Sequence, residues 1–255
     1  MTHPLRLTIV GCSGSYPGPD SAASCYLLEA HDGRRAWRIL LELGNGALGQ
    51  LHRYVDPLTV DAVLLSHLHA DHCLDLCGYY VMRKYHPTGP QPRIPVWGPP
   101  GTADRMARAY DLPLDPGMHE EFDFRVYDGA FTIGPFDVTP VPVDHPVHAF
   151  GLRVAAGGRT LGYSGDTGPC EGLDAVAAGV DLLLAEASFR SQDTNPPHLH
   201  LTGTDGGDAA ARAGARRLVL THVPPWFDRQ TALAEARAVF DGPLELAEAG
   251  AVYEV

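Results

Sequence analysis

The sequence predicts one α/β domain, with two mixed β-sheets packed between outer layers of helices. Short apolar runs of strand length alternate along the chain with segments of helical periodicity. Polar residues follow directly after several of these runs, which is a common arrangement at the active-site edge of an α/β sheet. The 255 residues are enough for one large core, and no linker of Ser, Pro or charge repeats divides them. We therefore predict a single domain over residues 1–255.

The first half of the chain is predicted to be rich in strands, with helices laid outside the sheet. Apolar runs bounded by turn residues predict strands at residues 5–10, 25–30, 37–43, 60–66, 94–97, 122–127 and 131–143. Residues 73–82 alternate between apolar and polar side chains at helical spacing. This helix is expected to hold Asp71 and His72 in its first turn.

The second half repeats this rhythm of strands and helices. Strands are predicted at residues 151–154, 160–163, 180–185 and 218–221, and helices at residues 204–213 and 229–240. Gly157-Gly158 is typical of a hairpin turn between the first two of these strands. Thr202 and Asp205 have the spacing of a capping box, with Asp in place of Glu, and Gly214 is a typical helix stop.

The charge composition favours a small substrate over a nucleic acid. The formal net charge is −12, and Lys84 is the one lysine among 19 basic residues. Long nucleic acids need several phosphate contacts from clustered Lys and Arg, and no such cluster is visible in the sequence. A small anionic ligand needs only a local positive site, which a pair of metal ions can supply.

Three further observations predict a cytoplasmic protein that does not enter a membrane. The sequence contains no apolar run of about 18 residues. Its first residues open directly into a strand-like segment rather than a signal peptide. The 5 cysteines are an odd number and widely spread, which suits reduced thiols.

Histidine and aspartate side chains collect where the predicted strands end. The densest stretch is SHLHADH, from Ser66 to His72, directly after an apolar run. Each imidazole or carboxylate must be solvated, hydrogen-bonded or bound to metal, so a polar surface loop is the plain alternative to a metal site. Strand ends on one edge of a sheet can converge in space. The candidate ligands are His67, His69, Asp71, His72, His145, Asp166 and His222.

These motifs resemble those of the metallo-β-lactamase superfamily, and the resemblance covers nearly the whole chain. The signature is His67-x-His69-x-Asp71-His72, followed in order by His145, Asp166 and His222. Within the superfamily, the segments GCSGS (11–15), VDH (143–145), SGDT (164–167) and LTH (220–222) are similar to the ribonuclease Z-like phosphodiesterase branch. The segments LLSHLHADHCLDL (64–76), YHP (85–87) and HVPPW (222–226) resemble actinobacterial cyclic-AMP phosphodiesterases. The resemblance implies the αββα sandwich of the superfamily.

The resemblance also implies two divalent metal ions and a role for each candidate residue. It assigns one metal to His67, His69 and His145, the other to Asp71, His72 and His222, and a bridging position to Asp166. Zn²⁺ is the first expectation, with Mn²⁺ or Fe²⁺ as alternatives, because imidazoles and carboxylates suit all three. A hydroxide between the metals is expected to attack phosphorus. Asp71, Glu186 and His200 are expected to be catalytic, the last two beside the leaving group.

Two positions are less clear from the sequence. His148 lies 3 residues after His145 and could itself bind metal or contact substrate. Spacing alone does not separate the two histidines, and the resemblance favours His145. Glu42 stands where the superfamily usually has Asp, at a position that supports the metal-binding loop from behind.

The leading hypothesis is a phosphodiesterase that opens 3',5'-cyclic nucleotides, cyclic AMP first, to 5'-monophosphates. Its partners would be a small anionic phosphodiester, no long nucleic acid and, from the resemblance, a second copy of the chain in a homodimer. One rival is a ribonuclease Z-like endonuclease that acts at RNA 3' ends, although no Gly- and Lys-rich docking arm is visible. Others are a hydrolase of a carbonyl substrate (lactone, β-lactam or thioester) and a catalytically silent metal-binding scaffold.

Overall fold

The chain folds as two β-sheets that face each other, in a computed structural model that describes residues 5–255. The strands are β1 (Arg6–Ser13), β2 (Ala22–Ala23), β3 (Cys25–His31), β4 (Ala36–Leu41), β5 (Ala62–Leu64), β6 (Ile94–Gly98), β7 (Phe122–Val126), β8 (Phe131–Ile133), β9 (Phe136–Pro142), β10 (Phe150–Ala156), β11 (Arg159–Tyr163), β12 (Leu182–Glu186), β13 (Leu218–Thr221), β14 (Leu244–Leu246) and β15 (Val252–Glu254). The helices are α1 (Ala47–Leu51), α2 (Ala70–Cys73), α3 (Leu76–Lys84), α4 (Thr102–Ala109), α5 (Glu171–Ala177), α6 (Gly203–Ala213) and α7 (Arg229–Arg237).

Both sheets are mixed, as predicted. The first has the order β15-β1-β3-β4-β5-β6-β7, with β2 paired to β1, and its strands from β4 to β7 run parallel. The second has the order β14-β13-β12-β11-β10-β9-β8, and its strands from β11 to β14 run parallel. Parallel neighbours end at the same edge of a sheet, so each sheet delivers several loops to one edge.

An apolar core fills the space between the two sheets. Fully buried side chains such as Leu28 and Leu64 from the first sheet join Leu152 and Leu184 from the second. Burying one such side chain contributes about 1.5–3 kcal/mol to the free energy of unfolding. The large contact area between the two sheets fixes the position of the loops at the strand ends of one sheet relative to those of the other.

Helices cover the outer face of each sheet and complete the predicted four layers. Apolar residues of α1, α3 and α4 pack on the first sheet, and those of α6 and α7 pack on the second. The capping box at α6 is confirmed, because the Thr202 hydroxyl accepts from the backbone N–H of Asp205 and the Asp205 carboxylate accepts in return. Gly214 ends this helix in the left-handed conformation, with a φ of 67°. No helix within residues 5–255 is long and apolar enough to cross a membrane.

The prediction of one continuous strand over residues 131–143 is wrong. This segment forms the two antiparallel strands β8 and β9, which turn at Gly134-Pro135. Gly134 has a φ of 52°, and a Cβ there would come within 2.3 Å of the Trp37 ring, so the turn requires glycine. The sequence prediction followed the apolar alternation and did not use the Gly-Pro pair as a break.

Candidate metal centre

The first candidate ligand group joins the end of β5 to the loop after β9. Nε2 of His67 lies 2.9 Å from Nδ1 of His69, and Nε2 of His145 lies 3.3 Å from the same Nδ1. Oδ2 of Asp166 is 3.7 Å from Nε2 of His67. These four side chains each present one ligand atom, and all four atoms lie within 4.8 Å of one another.

The second candidate group combines the start of α2 with the end of β13. Nε2 of His222 lies 3.1 Å from Nε2 of His72 and 3.0 Å from Oδ2 of Asp71. Asp166 also reaches this group, because its Oδ2 is 3.3 Å from Nε2 of His72. The structure therefore brings all seven predicted ligands together, with Asp166 between the two groups.

The donor atoms of both groups fit divalent cations. Nδ1 of His69 faces Nε2 of both His67 and His145 and carries at most one proton, so it cannot form a hydrogen bond with both rings as their donor. Oδ1 of Asp166 is buried and has no hydrogen-bond partner within residues 5–255. Buried polar atoms normally have partners, and imidazole nitrogens with carboxylate oxygens are the ligands that zinc prefers. The residues present can hold two metal ions.

Hydrogen bonds on the far side of the rings orient three of the histidines. Nδ1 of His145 donates to the carbonyl of Leu199 at 2.9 Å. Nδ1 of His222 lies 2.8 Å from the hydroxyl oxygen of Ser188, whose own proton goes to the His222 carbonyl. Nδ1 of His67 is 3.0 Å from the hydroxyl of Ser66. Such bonds fix the tautomer that leaves Nε2 free to bind metal.

A close backbone approach holds the motif loop in place. His69 is the N-cap of α2, and Asp71 and His72 lie in this short helix, which is separate from α3, so the prediction that they start the helix over residues 73–82 is wrong. The backbone N–H of Leu43 donates to the His72 carbonyl at 2.8 Å. A Cβ on Gly44 would lie 1.9 Å from the carbonyl oxygen of Asp71, so this loop can pack here only against glycine.

The charges at the centre shift several pKa values in directions that suit cation binding. Burial opposes ionisation of Asp166, but the surrounding imidazoles outweigh it and lower the pKa of its carboxyl. Burial and the neighbouring imidazoles lower the pKa of His67 and of His69. Burial would also lower the pKa of His72, but Asp166, Asp71 and Glu42 raise it. An ionised Asp166 with neutral His67 and His69 forms a ligand set that favours positive charge.

His200 and Glu186 form a pair beside this ligand cluster. Nδ1 of His200 lies 2.9 Å from Oε1 of Glu186 and 3.9 Å from Oδ2 of Asp166. Glu186 is fully buried and also accepts the backbone N–H of Thr167 at 2.9 Å. Burial would lower the pKa of His200, but the two carboxylates raise it to about 9. Both carboxylates therefore favour the protonated form of this ring.

Comparison with known proteins identifies the family. A family model described as the beta-lactamase superfamily domain matches residues 37–223. The chain belongs to the beta-lactamase superfamily. The uncharacterized protein Rv1339 of Mycobacterium tuberculosis is 44% identical over 98% of this chain and 92% of its own length. Ribonuclease Z of Myxococcus xanthus is 29% identical over 98% of both chains.

A solved structure of the same superfamily has the same fold. The metallo-beta-lactamase fold protein YhfI from Bacillus subtilis superposes with a TM-score of 0.87 at 27% identity, over 99% of this chain and 100% of that chain. The predicted αββα sandwich and the predicted resemblance to the ribonuclease Z branch are thereby confirmed. The assignment of individual residues to metals stays a prediction.

Glu42, where the superfamily usually has Asp, connects two parts of the candidate centre. Its carboxylate accepts the backbone N–H of Ser66 at 3.0 and 3.2 Å, and Oε1 lies 3.5 Å from Nδ1 of His72. The residue is fully buried and has a φ of 66°, which is uncommon without glycine. The longer side chain therefore supports both the ligand loop and a ligand ring.

Replacement of this carboxylate should weaken metal binding. Glu42→Gln keeps an oxygen that can accept from Ser66 but loses the charge that faces His72. We expect metal affinity to fall about 10- to 100-fold, as measured by competition with a chromogenic chelator. Glu29→Gln is the matched control, because Glu29 pairs with Arg6 and Arg38 on the same sheet. Equal affinities in both variants would contradict the supporting role.

His145, and not His148, lies in the candidate centre. The side chain of His148 is exposed, and within residues 5–255 it belongs to no group with metal-ligand geometry. We expect His145→Ala to lose metal, because it removes a nitrogen that faces His69, whereas His148→Ala should keep a full complement. Elemental analysis of the two purified variants measures this difference. Metal loss in the His148 variant alone would reverse the assignment.

Sequence reasoning identified Glu42 as a supporting residue but missed the two serines that orient ligand rings. Ser66 and Ser188 orient His67 and His222, but a serine next to a motif has no distinguishing pattern. It also missed an exposed pair of rings, one on the loop after β1 and one on the loop after β13. Tyr16 and Trp226 lie with ring centroids 5.3 Å apart. Trp226 is part of the HVPPW segment, which was the available signal.

Proposed function

We propose that this chain is a metallo-hydrolase that opens 3',5'-cyclic nucleotides, cyclic AMP first, to 5'-monophosphates. The observation that carries the proposal is the Glu186–His200 pair beside Asp166. Hydrolysis of a cyclic phosphodiester releases a ribose alkoxide, which is strongly basic and needs a proton. A protonated imidazole within reach of the metal ligands can supply it.

The chain's own residues would divide the work as follows. The seven candidate ligands would hold two divalent ions, Zn²⁺ first, with Mn²⁺ or Fe²⁺ as alternatives. When bound, two such ions supply a Lewis acid and a deprotonated water at neutral pH. Asp71 would share one ion with His72 and His222, since its Oδ2 lies 3.0 Å from Nε2 of His222. His200 donates the proton from Nε2, and Glu186 fixes the ring through Nδ1.

Charge distribution supports a small anionic phosphodiester as substrate. The chain has a net charge of −12, which disfavours association with a long polyanion. A compact cyclic nucleotide places its single charge at the metal ions and needs little other positive surface. The match to ribonuclease Z of Myxococcus xanthus favours an RNA 3'-end endonuclease as the second candidate.

The Tyr16–Trp226 pair supports a substrate that carries a nucleobase. Trp226 follows the candidate ligand His222 by 4 residues, and its side chain is 57% exposed. The backbone N–H of His222 donates to Cys12, and that of Gly14 donates to Val223, so the two aromatic loops are joined at the centre. Bases stack on exposed aromatic rings with little regard to sequence. We infer that this pair binds the base of the nucleotide.

Loss of the indole should weaken substrate binding more than chemistry. We expect Trp226→Ala to raise KM for cyclic AMP about 5- to 100-fold, because base stacking contributes about 1–3 kcal/mol, while kcat changes little. Steady-state kinetics measure both constants. Trp226→Phe keeps a stacking surface and should recover most of the affinity. An unchanged KM in the alanine variant would remove the base-binding role.

A substrate panel on metal-free protein reloaded with Zn²⁺, Mn²⁺ or Fe²⁺ tests the proposed function. The panel contains cyclic AMP, cyclic GMP, a 2',3'-cyclic nucleotide, precursor transfer RNA, nitrocefin and a lactone. The proposal expects turnover of cyclic AMP to the 5'-monophosphate to exceed all other rates. Fastest cleavage of RNA or of a carbonyl substrate would replace it, and binding without turnover would indicate a silent scaffold.

Two further expectations belong to this proposal. The family resemblance implies a homodimer, which light scattering would measure in solution. The composition predicts that the protein acts in the cytoplasm, which cell fractionation would test.

A further inference from the structure

An arginine-lined cleft of about 550 Å³ lies at the end of the first sheet opposite the candidate metal centre. We call it the arginine cleft, and its basic lining residues are Arg35, Arg38, Arg83 and Arg93. It opens at the amino ends of β4, β5 and β6, whereas the metal ligands follow the carboxyl ends. Asp61 in the cleft precedes the ligand His67 by 6 residues, which corresponds to about 20 Å along a strand.

Arg83 is a buried arginine in this cleft whose charge has no carboxylate counterion among the described residues. It is 2% exposed, yet no carboxylate within residues 5–255 forms an ion pair with it. Its guanidinium donates to the hydroxyl of Tyr79 at 3.2 Å and to the carbonyl of Pro92. Its Nε is buried with no hydrogen-bond partner in the described chain. A buried charge without a counterion is costly, so an anion at this position would stabilise it.

The other three arginines leave the cleft with an excess of positive charge. Arg38 pairs with Glu29 at 3.0 Å, and Arg35 pairs with Asp61 at 2.7 Å. Arg93 donates to the His119 carbonyl at 3.2 Å and has no ion pair with a carboxylate in residues 5–255. Two of the four guanidinium charges are thus uncompensated. This is a local reversal of sign in a chain with a net charge of −12.

We propose that the arginine cleft binds the phosphate group of a small molecule, at a second anion site separate from the metal centre. Guanidinium groups present planar pairs of donors that match phosphate oxygens, and they are weakly hydrated for a cation. The volume of the cleft is in the range of small-molecule sites and exceeds that of phosphate alone. The proposal does not depend on what the metal centre hydrolyses.

A reporter of binding is already built into the cleft. The guanidinium carbon of Arg35 lies 3.5 Å from the centroid of the Trp37 ring. An anion that draws Arg35 towards the cleft would change this stacking and therefore the fluorescence of Trp37. Trp37→Phe should remove the change without removing the binding heat.

The test is a titration of the metal-loaded full chain with inorganic phosphate, followed by fluorescence and by calorimetry. We expect the wild type to show a cleft site in addition to any binding at the metals. The double variant Arg38→Gln/Arg93→Gln should weaken the cleft site by about 10- to 100-fold, because each charge-assisted hydrogen bond contributes to affinity. Its hydrolytic rate in phosphate-free buffer should stay unchanged.

Two controls separate this site from others. Asp166→Ala should lose anion binding at the metal centre and keep the Trp37 signal. Arg34→Gln, an exposed neighbour of Arg35 outside the cleft, should bind phosphate as the wild type does. A parallel titration with 5'-AMP identifies the source of the phosphate, because tighter binding than phosphate would assign a nucleotide and equal binding the free ion. Identical phosphate binding in the double variant and the wild type would overturn the proposal.

Discussion

Asp166→Ala is expected to reduce turnover below detection and to lower the metal content from two ions to one or none. Asp166 is the candidate ligand that faces both groups, with Oδ2 at 3.7 Å from His67 and 3.3 Å from His72. A bridging carboxylate can hold two cations about 3.5–4 Å apart, where their repulsion is strong. Without it, each cation would lose a ligand, and the two positive charges would face each other with no negative charge between them.

Elemental analysis and an activity assay on the same preparation measure this effect. Asp174→Ala is the matched control, because Asp174 is a surface carboxylate that pairs with Arg212 at 2.6 Å. That variant should retain both metals and full turnover. Two metals with near wild-type activity in the Asp166 variant would show that another residue bridges the ions.

His200→Ala should keep two metals but lose about 10²- to 10⁴-fold in kcat on a cyclic nucleotide. The ring bonds Glu186 through Nδ1, and we therefore expect both metals to stay bound without it, although Asp166, His200 and His222 also have the geometry of a ligand group. The loss should be smaller on bis-p-nitrophenyl phosphate, because nitrophenolate leaves without a proton. His198→Ala serves as a control, since that exposed imidazole pairs with Asp144 instead.

The comparison of leaving groups separates an acid role from a structural one. An equal loss of kcat on both substrates would exclude proton donation by His200, and metal depletion would make the residue structural. Glu186→Gln combined with His200→Ala should be little worse than His200→Ala alone, because Glu186 acts through the imidazole. If the double variant lost much more kcat than His200→Ala alone, Glu186 would have a role that does not depend on His200.

The candidate site was largely predictable because its residues are local to strand ends. His67 to His72 form one short motif after β5, and Asp166 and His222 directly follow β11 and β13. Polar residues at such positions stand out against the apolar run that precedes them. The confirmed capping box at α6 was equally local.

Features that depend on tertiary contacts were not predictable in this way. The short elements α1, β14 and β15 have three to five residues, too few to show a period. The helices α4 and α5 are also short and lie in loops rich in Gly and Pro. The arginine cleft combines residues from 35 to 93 that meet only when β4, β5 and β6 pair. The net charge of the whole chain gave no sign of this cleft, because it does not show where the arginines lie.

The candidate ligands come from loops of both sheets, so metal binding would hold the two sheets together. The free energy of unfolding would then depend on the concentration of free metal in the cell. Cations that bind His72 together with His222 bind the folded chain and not the unfolded one. At a free metal concentration of 100 times Kd, one such site adds about 2.7 kcal/mol to the free energy of unfolding. Domains are stable by only about 5–15 kcal/mol in total. A cell that lacks metal would then lose the protein's activity and also part of the protein itself, because the less stable metal-free chain would be degraded by proteases.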